Sequence, residues 1–323
     1  GSDLTLNQLA VTGLIGLSTT GADSDATIVN ATVIDFKATN VGGNLAATAT
    51  TGGIGQSAGL DVDGATALAA GTDNIDLSNV GNDFTGAVSI VSAQDVTLVD
   101  ANGIDLGAST ISGNLDVTSS TGDITDSGTV SISGTADLTT SNGNIITDQL
   151  DVSGSIALNA SGTATIVNTT GIVFRDSTTG GDLTATSTTG DLNIGTGVTL
   201  TSTGGGIFLS ADGTLLFDAA ANLNAAGNVE ISLDQGPKDD TGVIVQFFGQ
   251  VDAAAAIISG GEDPDLFRVQ PSAITEITVR GGDPKTLPGD ALLLLEDMSL
   301  ASSGIDGTGA SFGTYTATGF APV

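Results

Sequence analysis

A chain of 323 residues with a formal net charge of −31, set by 37 acidic and six basic side chains, repels nucleic-acid phosphates and anionic membrane surfaces, which argues against both as partners. With no histidine and no cysteine it is excluded from Ser-His-Asp chemistry and from soft-metal centres. The apolar fraction of 39% suffices for a core, but 47 glycines and 3% aromatic residues require that core to be thin, built of Val, Ile, Leu and Ala in stacked strands.

Of the 37 acids, 33 are Asp and four are Glu. Asp favours turns, where its carboxylate bonds nearby backbone, so the charge is expected to be turn chemistry repeated many times. No apolar run approaches the roughly 18 residues of a spanning helix, and Ala291 to Leu295 is among the longest. No membrane insertion is expected of this segment. Gly1-Ser2 and the Ala321-Pro322-Val323 finish are expected of a piece of a longer protein.

The segment before Gly43 reads as a short, imperfect start to a stack. From there one sentence recurs: GNLAATATTGGI at Gly43, GNLDVTSSTGDI at Gly113, GTADLTTSNGNI at Gly134 and GDLTATSTTGDL at Gly181. Opening glycines fall at Gly43, Gly64, Gly86, Gly113, Gly134, Gly154, Gly181, Gly205 and Gly227, a solenoid-like period of about 20–27 residues. Two and four residues on stand Leu45/Ala47, Thr66/Leu68, Val88/Ile90, Leu115/Val117, Ala136/Leu138, Ile156/Leu158, Leu183/Ala185, Ile207/Leu209 and Val229/Ile231. All but Thr66 are apolar, and the residue between is small or polar, which is a strand with one buried face.

Each unit adds a second short strand (Asp123-Ile124-Thr125) and a third (Val130-Ser131-Ile132). Three strands and three turns in about 21 residues predict an all-β, right-handed parallel β-helix with coils of about 20–27 residues. Ten or so coils at about 4.8 Å each would reach about 50 Å. The closest copies, at Gly43, Gly113 and Gly181, recur at about 70 residues, read here as a duplicated block of three coils whose longest members carry the extra material.

All six prolines and four of the six bases lie at or beyond Pro237. This shift predicts parallel β-helix repeats over 1–235 and a smaller irregular β region or C-terminal cap over 236–323.

The repeats GNDFTGAVSI (Gly81 to Ile90), GNLDVTSSTGDITDSG (Gly113 to Gly128) and GTADLTTSNGNI (Gly134 to Ile145) resemble those of filamentous-haemagglutinin-like large exoproteins. Leu266 to Asp290 and Gly313 to Val323 resemble segments of giant secreted bacterial surface proteins. The resemblance implies an extracellular or cell-surface module for structure or adhesion. Its implied partners are a host or neighbouring-cell surface, glycans or further copies of itself. The family's amino-terminal secretion domain has no counterpart among these residues.

Candidate chemistry is sparse. A β-helical polysaccharide lyase needs a basic proton acceptor, and before residue 237 only Lys37 and Arg175 exist, each outside an acidic cluster. A glycoside hydrolase needs paired carboxylates. Asp116 and Asp137 take equivalent outward places on neighbouring coils, which also suits a plain solvated column. Gly260-Gly261-Glu262-Asp263-Pro264-Asp265 resembles one copy of a calcium nonapeptide, with no second copy nine residues on, so Asp263 and Asp265 read first as a turn. Asp61-Val62-Asp63-Gly64 is a weaker calcium fragment. Thr48/Thr50, Thr163/Thr165, Thr184/Thr186/Thr188 and Thr199/Thr201 could order water, but they fall at different points of their coils. The expectation is a non-enzymatic structural or adhesive module with no catalytic residue, no bound metal and no cofactor. A polysaccharide-processing β-helix and a calcium-dependent assembly module are the alternatives.

Overall fold

The computed structural model describes residues 2–234, 241–261, 263–270, 274–281, 290–294 and 315–317. The chain falls into two compact units, Gly1–Gly162 and Thr163–Val323. Both are parallel β-solenoids, and no helix occurs among the described residues.

In unit 1 an opening coil holds β1 (Leu4–Leu9) and β2 (Ser18–Thr19). Ten strands follow: β3 (Ala26–Asn30), β4 (Ile34–Phe36), β5 (Thr39–Val41), β6 (Leu45–Ala49), β7 (Ile54–Gln56), β8 (Leu60–Val62), β9 (Thr66–Ala69), β10 (Ile75–Leu77), β11 (Asp83–Phe84) and β12 (Val88–Ser92). Then come β13 (Val96–Asp100), β14 (Ile104–Leu106), β15 (Ser109–Ile111), β16 (Leu115–Ser119), β17 (Ile124–Asp126), β18 (Val130–Ile132), β19 (Ala136–Thr140), β20 (Ile145–Val152) and β21 (Ser155–Ala160). On a first face β1, β3, β6, β9 and β12 stack in turn. A second carries β4, β7, β10, β13, β16, β19 and β21. A third begins with β2, β5, β8 and β11.

Alternation explains each strand. In β6, Leu45, Ala47 and Ala49 face inward and are buried, while Ala46 and Thr48 face outward. The same holds for Leu115, Val117 and Ser119 of β16. Parallel pairing sets like on like, so Val96, Leu115, Ala136 and Ile156 form one inward column and Leu98, Val117, Leu138 and Leu158 the next. Each such Leu contributes about 1.5–3 kcal/mol by leaving water. Even the exception, Thr66, is inward and buried, between Leu45 and Val88.

The turns account for part of the Asp content, while other Asp residues such as Asp35, Asp76, Asp116 and Asp137 stand outward on strands. Carboxylate or amide oxygens of one coil accept backbone N–H groups of the next: Asp25 Oδ1 from Asn44 N at 2.8 Å, Asn44 Oδ1 from Ala65 N at 2.8 Å, Asp95 Oδ1 from Asn114 N at 2.8 Å, and Asn114 Oδ1 from Thr135 N at 2.9 Å. A turn has no ladder partner for these donors, so a short acceptor side chain supplies it. Glycine beside it permits the approach. A Cβ on Gly64 would lie 2.6 Å from the Gly43 carbonyl.

The stacking differs from a plain three-coil block. The sentence opened by Gly86 forms β12, yet the one opened by Gly113 forms β16, which lies on β13 of the second face. The long interval between these glycines therefore holds a short step from Val88 to Val96 and then a full coil from Val96 to Leu115. On the first face the place above β12 is shared. Leu106, ending β14, pairs with Val88, and Ile111, ending β15, pairs with Ala93.

Unit 2 begins with β22 (Ala164–Asn168), β23 (Ile172–Phe174), β24 (Ser177–Thr179), β25 (Leu183–Ser187), β26 (Leu192–Ile194), β27 (Thr199–Ser202), β28 (Ile207–Ala211), β29 (Leu215–Phe217), β30 (Asn222–Ala225) and β31 (Val229–Ser232). These continue into β32 (Ile244–Phe247), β33 (Gln250–Asp252), β34 (Ala256–Ser259), β35 (Leu266–Val269), β36 (Ile277–Arg280), β37 (Ala291–Leu294) and β38 (Tyr315–Ala317). Strands on both sides of residue 235 share columns: β32 lies on β29, β33 on β30 and β34 on β31, all parallel. β38 pairs antiparallel with β36.

Candidate functional site

In unit 2 the chain turns beneath β32, β35 and β37 at a corner made of carboxylates. Asp234 follows β31 with φ +54°, a left-handed conformation that a short polar side chain tolerates. Asp263 and Asp265 precede β35, and Asp290 precedes β37. All four are buried, Asp263 and Asp265 at 1% and 2% exposure.

Backbone donors run between the coils. The Asp265 carboxylate accepts from Val243 N at 2.8 Å and from Gly261 N at 3.1 Å. Asp265 N donates to Asp290 Oδ1 at 2.9 Å, and Asp263 N to Asp234 Oδ2 at 3.4 Å. Asp290 Oδ2 is buried and has no hydrogen-bond partner among the described residues. Only glycine fits here: a Cβ on Gly242 would stand 1.8 Å from the Pro264 carbonyl, and one on Gly261 2.1 Å from the Asp234 carbonyl.

Burial pushes the Asp265 carboxyl up to about 6, and the Asp234 and Asp290 carboxylates push the same way against the two N–H donors. Burial likewise raises Asp290, less the hydrogen bond from Asp265 N. The corner therefore holds the Asp265 proton up to about pH 6. Among the described residues no three acidic side chains converge as a metal site. The expected calcium-like segment thus places Asp263 and Asp265 inward, against backbone.

The other sequence candidates are placed as follows. Asp116 and Asp137 are partners on β16 and β19, in one outward row with Asp76 and Thr97. Thr165 and Thr184 stack, but the row continues with Phe208 and Glu230, so no threonine ladder forms there. Asp61 faces outward on β8 and accepts from Asn40 Nδ2 at 2.7 Å. Lys37 and Arg175 stand at turns after β4 and β23.

Sequence reasoning missed a set of buried polar residues that end a strand. Asn30 closes β3, Asp100 closes β13 and Asn168 closes β22, each at 0% exposure. Asn30 pairs with the Val11 backbone of the coil beneath as a peptide would, accepting from Val11 N and donating to Val11 O, both at 2.9 Å. Asp100 accepts from Phe84 N of the coil beneath at 3.0 Å and from Asn102 N of its own turn at 2.8 Å. Burial raises the Asp100 pKa and neighbouring Asp83 adds to it, while the two N–H groups lower it. Asn168 Nδ2 donates to Gly171 O at 2.9 Å. The signal was present in ATIVN, VTLVD and ATIVN, at Ala26, Val96 and Ala164, whose fifth residue is always Asn or Asp. Asn82 is equally buried and interlocks with Gln56: its Nδ2 donates to Gln56 Oε1 at 2.9 Å and its Oδ1 accepts from Gln56 Nε2 at 2.7 Å.

No curated protein and no solved structure matches the chain. Residues 23–91 and 93–158 each match a family model described as repeats of unknown function (DUF5649). The first match spans β3 to β12 and the second β13 to β21, so each covers far more than one coil.

Proposed function

We propose that this chain is a non-enzymatic scaffold, a stiff β-solenoid module of a large bacterial surface or secreted protein, serving structure and adhesion. One observation carries the reading. Inward places of equivalent strands stay apolar and buried, as with Val88, Ile156 and Val229, while the outward residues beside them differ, as with Ser89, Ala157 and Glu230 in β12, β21 and β31. Repetition that preserves the core and varies the surface suits a spacer, in which each coil adds a fixed rise of about 4.8 Å. The acidic surface keeps such a stack soluble and resists lateral sticking. Glycans, a neighbouring cell surface or further copies are the partners proposed, with an extracellular location and no cofactor.

The test is a screen of acidic and neutral glycans with and without millimolar calcium. The reading expects retention of some glycans with no depolymerisation, and a melting temperature indifferent to calcium. Turnover abolished by Asp116→Asn or Asp137→Asn would replace it with a polysaccharide-processing enzyme. A calcium-induced change of oligomeric state would replace it with an assembly module.

A further inference from the structure

We infer that the unit of this repeat is a block of ten strands, three and one third coils, so that each block turns the repeated sequence onto the next face of the solenoid. Unit 1 shows the joint directly. β3 to β12 are ten strands, and with three to a coil the tenth returns to the first face. The next copy must then open on the second face, and it does: β13, the counterpart of β3 with Val96 in the place of Ala26, lies on β10. β13 to β21 again fill ten places, because the long β20 serves twice, Ile145 pairing with Ile124 of β17 and Leu150 with Val130 of β18.

Unit 2 repeats the joint independently. β22 to β31 are ten strands, and β32 lies on β29, the eighth of its block, as β13 lies on the eighth of its own. In unit 1 the buried residue that ends the opening strand β13 closes the joint. β13 has five residues and β10 beneath it three, so two residues of β13 overhang the strand below. Asp100 spans that overhang by taking the Phe84 N–H. In unit 2 Phe247 stands in the place of Leu98, packed on Phe217 with ring centroids 4.8 Å apart, and the place of Asp100 falls on Gly249, which has no side chain to form the bridge.

The consequence deepens the scaffold reading and rests on it only for its meaning. Residues at one place of successive blocks leave from different faces, as Asp35 does from the second face and Asp105 from β14, whose end pairs with β12 of the first, so one stripe does not recur along a single side from one block to the next. A partner needing one repeated stripe along a single side is not served by such an array. A partner that meets the solenoid from any direction is.

The chain has no cysteine, which permits a direct test with three double variants of the full protein. Thr97→Cys/Asp116→Cys joins residues that the block places on neighbouring strands. Ser89→Cys/Asp116→Cys joins residues that share a place after their opening glycines, Gly86 and Gly113, but lie on different faces. Asp137→Cys/Ala157→Cys satisfies both alignments and serves as the control. Neighbouring strands lie about 4.8 Å apart, within the Cα separation a disulfide spans. Oxidation is expected to close the 97/116 and 137/157 pairs and leave 89/116 reduced, read by intact mass and non-reducing mobility. Closure of 89/116 in place of 97/116 overturns the inference, as does closure of the control alone. Should the 97/116 variant lose its β-sheet circular dichroism, Val99→Cys/Thr118→Cys reads the same strand pair one rung on. The scaffold reading is decided by the glycan screen, whichever pair closes.

Discussion

The acidic corner of unit 2 makes the stability of that unit depend on pH in a defined direction. Asp265 titrates at about 6 in the folded chain, against an ordinary 3.8. A carboxyl whose folded pKa is raised holds its proton more tightly in the folded state. Its contribution is therefore complete below about 3.8 and is lost as pH rises through about 6. At about 1.36 kcal/mol per pH unit the full rise corresponds to about 3 kcal/mol, and screening by nearby water reduces it to about 2 kcal/mol. Every acid on so charged a chain adds repulsion as pH rises, so wild type alone does not isolate the effect. Asp265→Asn does. It keeps a carbonyl acceptor for Val243 N and, like the protonated acid, has no second strong acceptor for Gly261 N, so it resembles wild type at low pH. Urea titrations of both proteins between pH 4 and pH 8 give the difference. Wild type minus Asp265→Asn is expected to fall by about 2 kcal/mol over that range, most steeply at about pH 5 and levelling off above about pH 6. A difference that stays flat, or grows with pH, refutes the argument.

Three further outcomes follow from the same packing. Asp100→Ala strands the buried Phe84 N–H and is expected to cost about 1–2 kcal/mol, since relief from burying a carboxylate offsets part of the loss; urea midpoints at neutral pH measure it. Leu138→Ala, in the middle of an inward column, is expected to cost about 3 kcal/mol, whereas Thr139→Ala on the outward side of the same strand stays within about 0.5 kcal/mol, both read from urea midpoints. Gly261→Ala forces a methyl against the Asp234 carbonyl and is expected to lower the melting temperature of unit 2, while Gly13→Ala, with no neighbour within 4 Å, leaves unit 1 unchanged.

Much of the fold was legible because a solenoid writes its structure into every coil. The places two and four residues after an opening glycine are buried as read, from Leu45 and Ala47 to Ile207 and Leu209. The role of Asp in turns was equally legible, since Asp25 and Asp95 do what short acceptors do beside glycine. The face on which each sentence lies was not. A five-residue strand and a three-residue strand obey the same alternation, so aligning Gly86 with Gly113 cannot reveal that β12 and β16 belong to different faces. The buried polar residues that end a strand were hidden for a related reason. Asn30, Asp100 and Asn168 stand where an alternating run meets a turn, and a polar residue there reads as the turn itself. The buried corner was half legible: Asp263 and Asp265 drew attention as a calcium-like fragment, but their donors, Val243 and Gly261, and the company of Asp290 arise only when three coils are stacked.

The most direct measurement on the stacked-block account is excision of residues 26–95, one whole block. The cut brings Asp25 to Val96, as Asp25 met Ala26, and lets β13 take the place of β3 on β1. Three and one third coils at about 4.8 Å predict that unit 1 shortens by about 16 Å along its stack. The shortened protein should keep its β-sheet circular dichroism per residue and a cooperative melt, with the shortening read by small-angle X-ray scattering. Loss of the β signal on removing this block, or equal tolerance of an out-of-phase excision of the same length, would contradict the account.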